Sequence, residues 1–76
     1  MHINTKQLAS HVSFLARLTP AQAEAAIDGL CHAIVNQLAT GNDVHIEGFG
    51  LFEKIHGDEG SSRIRFRMQK TLGEKL

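Results

Sequence analysis

Arginines near the end of the chain alternate with apolar residues. The segment 63–68 reads RIRFRM, so a positive side chain occupies every second position. Successive side chains of a β-strand point to opposite faces, and a strand here would place Arg63, Arg65 and Arg67 on one face. The planar guanidinium group donates in a fixed fork that suits phosphate oxygens, and such contacts do not read base sequence. The segment predicts a phosphate-binding face; the alternative is a solvated charged strand.

The distribution of charge favours the same interpretation. The chain has 76 residues with eight basic and eight acidic side chains, so its formal net charge is zero. Residues 1–60 contain three basic and seven acidic residues (net −4), whereas residues 61–76 contain five basic residues and one acidic residue (net +4). A concentrated basic segment indicates a polyanionic partner better than the total charge does. Glu53, which could pair with the arginines across the predicted sheet, favours the alternative.

The sequence contains no residue pattern typical of a catalytic site or a metal site. The five histidines are scattered without metal-ligand spacing, and the single cysteine has no partner at C-x-x-C spacing. No nucleophile accompanies a base, and Gly48-Phe49-Gly50 lacks the context of a phosphate loop. The sequence therefore predicts no enzyme activity, no catalytic residue, no metal, no cofactor and no small-molecule substrate. Cys31 is expected to be a small buried residue, and the neighbouring carboxylates Asp58 and Glu59 are expected in an exposed turn.

Local patterns predict one domain, 1–76, with helices at about 4–17, 19–40 and 69–76 and strands at about 43–47, 49–56 and 62–68. Two capping boxes mark the helix starts, Asn4 with Gln7 and Thr19 with Gln22, and Gly41 fits a left-handed C-cap. Apolar residues recur at helical spacing along the first helix: Leu8, Val12, Leu15 and Leu18. The second helix carries a longer apolar stripe of Ile27, Leu30, Cys31, Ile34, Val35 and Leu38.

A chain of this size has little interior of its own. A domain this small buries only about 60–65% of its unfolded surface, and its core rarely contributes more than about 3–5 kcal/mol. One cysteine rules out an internal disulfide, and the first helix can cover only part of the long stripe, so we expect an oligomer. Gly29, inside the second helix, is expected at a close helix–helix crossing. No apolar run approaches the ~18 residues of a membrane span, and the lone cysteine without a signal-like start predicts a cytoplasmic protein.

The order helix–helix–three strands–short helix, with Gly48-Phe49-Gly50 between the first two strands, resembles the HU/integration host factor family of bacterial DNA-bending proteins. The resemblance is continuous from about Ile3 to Glu53. Further positions that carry it are Leu8, Thr19, Ala25, Ala26, Asp28, Gly41, Val44 and Phe52. It resumes at Phe66, where Arg67, Lys70 and Leu72 resemble the family ending F-K-x-x-K-x-L.

The resemblance implies an α+β fold, helix–helix–three-stranded antiparallel sheet–short C-terminal helix, in an intertwined homodimer or a heterodimer with another HU-like subunit. Its sheets would form a saddle under double-stranded DNA in the nucleoid. The implied dimer core is Phe49, Phe52, Phe66, Ile34 and Leu38. The candidate DNA-binding residues are Arg63, Arg65, Arg67 and, as flanking contacts near helix starts, Lys70 and Lys6; for the two lysines the alternative is a purely solubilising role.

The sequence departs from this family in the ribbon that joins strands two and three. Family members extend these strands into long β-arms tipped by a proline that wedges between base pairs, whereas here residues 56–62 form a short turn and Pro20 is the only proline. We therefore expect an armless dimer that binds duplex DNA weakly, without base specificity and without kinking it by intercalation. Lys54 and Ile55 look exchanged between the two faces, so either the strand bulges or the saddle is partly apolar. The alternative function is a dimeric protein-interaction or structural module that has lost DNA binding, suggested by the zero net charge, the missing arm, Phe14 and Ile55.

Overall fold

The computed structural model describes residues 1–57 and 60–76, so the turn expected at Asp58 and Glu59 lies outside the described residues. The elements in chain order are α1 (Thr5–Ala16), α2 (Pro20–Ala39), β1 (Val44–Ile46), β2 (Gly50–His56), β3 (Ser62–Met68) and α3 (Lys70–Glu74). This order and the antiparallel sheet confirm the predicted α+β fold. The chain divides into two compact units, 1–33 and 34–76, and the single domain stays a prediction. Within the described ranges, none of the helices combines the length and apolar character that a bilayer span requires.

Reciprocal side-chain caps fix the starts of both long helices. The Asn4 side chain accepts a hydrogen bond from the Gln7 backbone N–H at 2.8 Å, and the Gln7 side chain accepts from the Asn4 N–H at 3.0 Å. Thr19 and Gln22 repeat the arrangement at 3.1 and 2.9 Å. Each pair satisfies two N–H groups that have no partner within the helix. Both predicted capping boxes are therefore confirmed.

The first unit is held together by small side chains. Its buried residues are Ala9 on α1 and Ala23 on α2, which are 1% and 0% exposed. Leu15, predicted to belong to the apolar stripe of α1, is 80% exposed. At about 100° per residue, Leu15 lies about 120° around the helix from Ala9. Leu15 therefore lies off the protected face of one copy, because that face is centred on an alanine that hydropathy spacing did not single out.

The sheet of the second unit has the order β1-β2-β3, with both pairs antiparallel. The register between β2 and β3 is unbroken from Gly50 opposite Met68 to His56 opposite Ser62. The β-bulge considered at Lys54 and Ile55 is therefore absent from these paired residues. Since side chains alternate along each strand, Lys54 falls on the face with Phe52 and Phe66, and Ile55 falls on the face with the arginines.

The two faces differ sharply in composition. We call the arginine face the one that carries His45, Leu51, Glu53, Ile55, Arg63, Arg65 and Arg67. We call the apolar face the opposite one, which carries Val44, Ile46, Phe52, Lys54, Ile64, Phe66 and Met68. Alternation in β3 alone thus separates its charged residues from its apolar ones, as the sequence predicted.

The turn between β1 and β2 is tied to the start of α3. Gly48 adopts a φ of +77°, which favours glycine. Its backbone N–H donates to the Gln69 side-chain oxygen at 2.8 Å, and the Gln69 N–H donates to the Phe49 carbonyl at 3.0 Å. A Cβ atom at Gly50 would lie 2.6 Å from the Arg67 carbonyl oxygen, so no larger residue fits there without a shift. Gly41, after α2, has a φ of +93°, as the predicted left-handed C-cap requires.

A phenylalanine cluster lies on the apolar face but remains half open. The Phe66 ring centroid is 4.9 Å from that of Phe52 and 5.2 Å from that of Phe49. Even so, Phe66 and Phe49 are 41% and 43% exposed. On α2, Leu38 is buried, but Cys31 is exposed, so its expected burial is wrong within one copy of the chain. The reason is that none of the described helices and strands of the same copy covers its side of the stripe.

We predict that Phe66→Ala lowers the free energy of unfolding by about 3–5 kcal/mol, the usual cost of removing a ring from a complete core. In a single copy the same change would lower the free energy of unfolding by less, because its Phe66 ring is already partly exposed to water. The matched control is Phe14→Ala, which removes the same ring from a site that is 85% exposed and should cost under about 1 kcal/mol. Urea unfolding measures both values, and similar costs for the two variants would contradict a covered cluster.

We also predict that Gly29→Ala raises the free energy of unfolding by up to about 1 kcal/mol, because alanine favours the helix interior. A Cβ atom at Gly29 would meet no heavy atom within 4 Å, so the expected close crossing does not occur among the residues described for one chain. Thermal unfolding at a fixed protein concentration tests this prediction. A lower stability of the variant would mean that a second copy packs tightly against this turn of α2.

Candidate nucleic-acid interface

The register of the sheet decides what each arginine faces. Arg63 lies opposite Ile55, Arg65 lies opposite Glu53, and Arg67 lies opposite Leu51. The side chains of Arg65 and Arg67 are 51% and 61% exposed. Alternate residues of a strand are about 6.6–6.8 Å apart. The three guanidinium groups therefore belong to one row that remains accessible to an anion.

A single carboxylate joins two members of that row. The Glu53 Oε1 atom accepts a hydrogen bond from Arg65 Nε at 3.3 Å. The same atom forms ion pairs with Arg65 Nη2 at 3.3 Å and with Arg67 Nε at 2.8 Å. The Glu53 side chain is only 17% exposed, so it is held among its neighbours and not free in solvent. The cross-strand pairing considered from the sequence is thus present. One acidic and three basic side chains give the arginine face a formal charge of +2 with histidine neutral.

Arg63 differs from the other two arginines. Within residues 1–57 and 60–76, no carboxylate forms an ion pair with Arg63, and its partner across the ladder is the apolar Ile55. Its charge is therefore not offset by any described neighbour. Ile55 and Leu51 share the face with the arginines, so this face of the sheet is partly apolar, as the second alternative for Ile55 predicted.

The candidate lysines lie outside the row of arginines. Lys70 is the first residue of α3, exposed and directly after Gln69, in the same compact unit as the sheet. Lys6 is exposed in the first turn of α1 and belongs to the other unit. The flanking phosphate contacts of both lysines stay predictions.

The candidate dimer-core residues differ in how exposed they are in one copy of the chain. Phe52 is half-buried beside Phe66, and Ile34 is half-buried on α2 one turn before the buried Leu38, whereas Phe49 and Phe66 are exposed. Their role in a dimer stays a prediction.

The alternation in β1 predicts that His45 faces solvent, opposite to Val44 and Ile46, and the structure places it exposed on the arginine face, paired with Leu51. The contribution of Gln69 was not predicted. Gln69 orders the turn before β2 through its bond to Gly48, a contact across 21 positions that leaves no local signal. In the described part of the chain, no three His, Cys, Asp or Glu side chains lie close enough to hold a metal ion.

Comparison with curated proteins finds DNA-binding relatives. A family model described as bacterial DNA-binding protein matches residues 3–64. Two proteins, both named DNA-binding protein HRL18, from Rhizobium leguminosarum and Rhizobium radiobacter, are each 36% identical to this chain over 61 residues. The match covers 80% of this chain and 67% of each relative.

Comparison with solved structures finds HU proteins. HU from Thermotoga maritima is 30% identical with a TM-score of 0.78, and an HU mutant from the same organism is 29% identical with a TM-score of 0.81. Each of these matches covers 96% of this chain and 97% of the other. HU from Anabaena, in a cocrystal with DNA, has a TM-score of 0.81 at 23% identity, over 96% of both chains, and shows the shared fold alone. Because the family model matches most of the sequence and the fold agrees, this chain belongs to the bacterial DNA-binding protein family that includes HU.

Proposed function

We propose that this protein binds duplex DNA without base specificity through the arginine face of a dimer. The observation that carries the proposal is the placement of three arginines in one accessible row on the sheet. Guanidinium groups bind phosphate oxygens, which are the same in every base sequence. The names of the Rhizobium relatives support DNA as the partner. Such a partner would place the protein in the nucleoid.

A homodimer is the assembly that we propose for this function. One copy leaves large apolar side chains of β3 in water, among them Ile64 at 54% and Met68 at 53% exposure. A second copy, or another HU-like subunit, could cover this surface with apolar residues of its own. Two copies would present six arginines and two copies of Glu53, a formal charge of +4 over the two faces.

We propose further that binding does not kink DNA by intercalation. Strand β2 ends at His56 and strand β3 begins at Ser62, so only residues 57–61 separate them. None of these residues is a proline. The resemblance to the HU/integration host factor family implies a wedge carried by a proline at the tip of a long β-arm, and the segment between β2 and β3 provides neither the arm nor the proline.

A second candidate function is a dimer that binds a protein and not DNA. The observation that favours it is the pair Phe14 and Leu15 on α1, which are 85% and 80% exposed side by side. Adjacent apolar residues at such exposure are typical of contact surfaces when they belong to a larger patch. This alternative predicts a stable dimer without measurable DNA affinity.

We predict salt-dependent binding to any duplex of mixed sequence. Four to six neutralised phosphates give a slope of log K against log salt of about −4 to −5, so affinity should fall about 10²- to 10³-fold between 50 and 200 mM salt. Fluorescence anisotropy with labelled duplexes of two unrelated sequences measures both the slope and the specificity. No binding at 50 mM salt, or binding indifferent to salt, would contradict the proposal and favour the second candidate.

The arginine row itself is tested by replacing Arg63, Arg65 and Arg67 together with glutamine. Binding should weaken to the same extent on both duplexes, because phosphate contacts carry no sequence information. Arg17→Gln is the control, since it removes a positive charge from the C-cap of α1, which is not one of the strand residues that form the row. An equal loss in the control would mean that net charge and not the arginine face governs binding.

A further inference from the structure

The Glu53 carboxylate occupies the place on the arginine face that an anionic ligand would take. We propose that Glu53 is an intramolecular competitor of DNA phosphate and holds the DNA affinity of this protein below the value that its arginines alone would give. This inference rests on the proposed function and deepens it, because it identifies the residue that sets the strength of binding.

The geometry places one carboxylate oxygen against the donors that a phosphate would use. Oε1 of Glu53 forms an ion pair with Arg67 Nε at 2.8 Å and accepts a hydrogen bond from Arg65 Nε. The same atom lies 3.3 Å from Nε and from Nη2 of Arg65. Carboxylate and phosphate oxygens make the same kind of bond to guanidinium, so both anions compete for these N–H groups.

The contact is built into the sheet. Glu53 lies directly opposite Arg65 in the unbroken register of β2 and β3, and Arg67 is the diagonal neighbour on the same face. Such cross-strand positions remain within reach for long side chains. The Glu53 side chain is 17% exposed, so solvent and salt screen this negative charge less than they would screen a carboxylate in open water.

The competition affects the three arginines unequally. A phosphate that binds Arg65 or Arg67 must displace the Glu53 carboxylate or share the guanidinium with it, and it meets that negative charge in either case. A phosphate at Arg63 displaces no described carboxylate, since the residue opposite is Ile55. Arg63 should therefore contribute more to DNA affinity than Arg65.

The direct test is Glu53→Gln, which keeps the length and hydrogen-bonding oxygen of the side chain and removes its charge. In a dimer the change raises the charge of the two faces from +4 to +6, and the slope of log K against log salt should steepen from about −4 to about −5. At 50 mM salt the variant should bind duplex DNA about tenfold more tightly or better. The matched control is Glu47→Gln, which removes the same charge from an exposed position in the turn before β2, outside the ion pairs of the face; its affinity should change less than about threefold.

A second comparison uses two arginine variants that keep Glu53, so it tests the inference even if Glu53→Gln does not fold. Arg63→Gln should weaken binding several-fold more than Arg65→Gln, although both remove one positive charge from the same strand. Thermal unfolding of every variant at one concentration verifies that folded proteins are compared.

The outcomes separate this inference from the proposed function. If the unmodified protein binds DNA while Glu53→Gln binds equally or more weakly, or Arg65→Gln costs as much as Arg63→Gln, competition by Glu53 is overturned and DNA binding stands. If Glu53→Gln binds and the unmodified protein does not, competition is supported and the proposed function is overturned. If neither protein binds at 50 mM salt, both are overturned.

Discussion

One copy of the chain has more large apolar side chains than its own residues can cover. The buried hydrophobic residues in the described part of the chain are Ala9, Ala23 and Leu38, and no large side chain there is fully buried. Even Phe66, which contacts two other phenylalanine rings, is 41% exposed. Each square ångström of apolar surface left in water forgoes about 25 cal/mol. Assembly with a second copy is the simplest way for this sequence to recover that energy.

The register of β2 and β3 links assembly to DNA binding. Because side chains alternate, the face that needs a cover and the face that offers arginines belong to the same seven-residue strand, Ser62–Met68. A slip of one residue would exchange the two sets and abolish both properties. The separation is incomplete, since Lys54 lies on the apolar face and Glu53 lies among the arginines. Glu53 matters more for the proposed function, because its ion pairs reduce the positive charge that the arginine face offers to phosphate.

The predictable parts of this structure are those that local chemistry decides. The caps at Asn4 and Thr19 use contacts three residues apart, and the face of each β3 side chain follows from alternation alone. Burial was harder to predict, because it depends on which residues from distant parts of the chain pack against a side chain. Leu15 and Cys31 belong to apolar stripes, but both are exposed in one copy. For the site, the row of arginines and a pairing with Glu53 followed from the sequence. That Glu53 would bridge two arginines did not follow, because sequence alone left the register at Lys54 and Ile55 open.

Sedimentation equilibrium over a range of concentrations tests the central claim most directly. The account predicts a mass of twice the 8.3 kDa chain at micromolar concentration, with dissociation on dilution coupled to loss of helical circular dichroism, because a lone copy lacks a sufficient core. A compact, fully helical species of 8.3 kDa at micromolar concentration would contradict it, since one copy would then be stable with its phenylalanine cluster open to water.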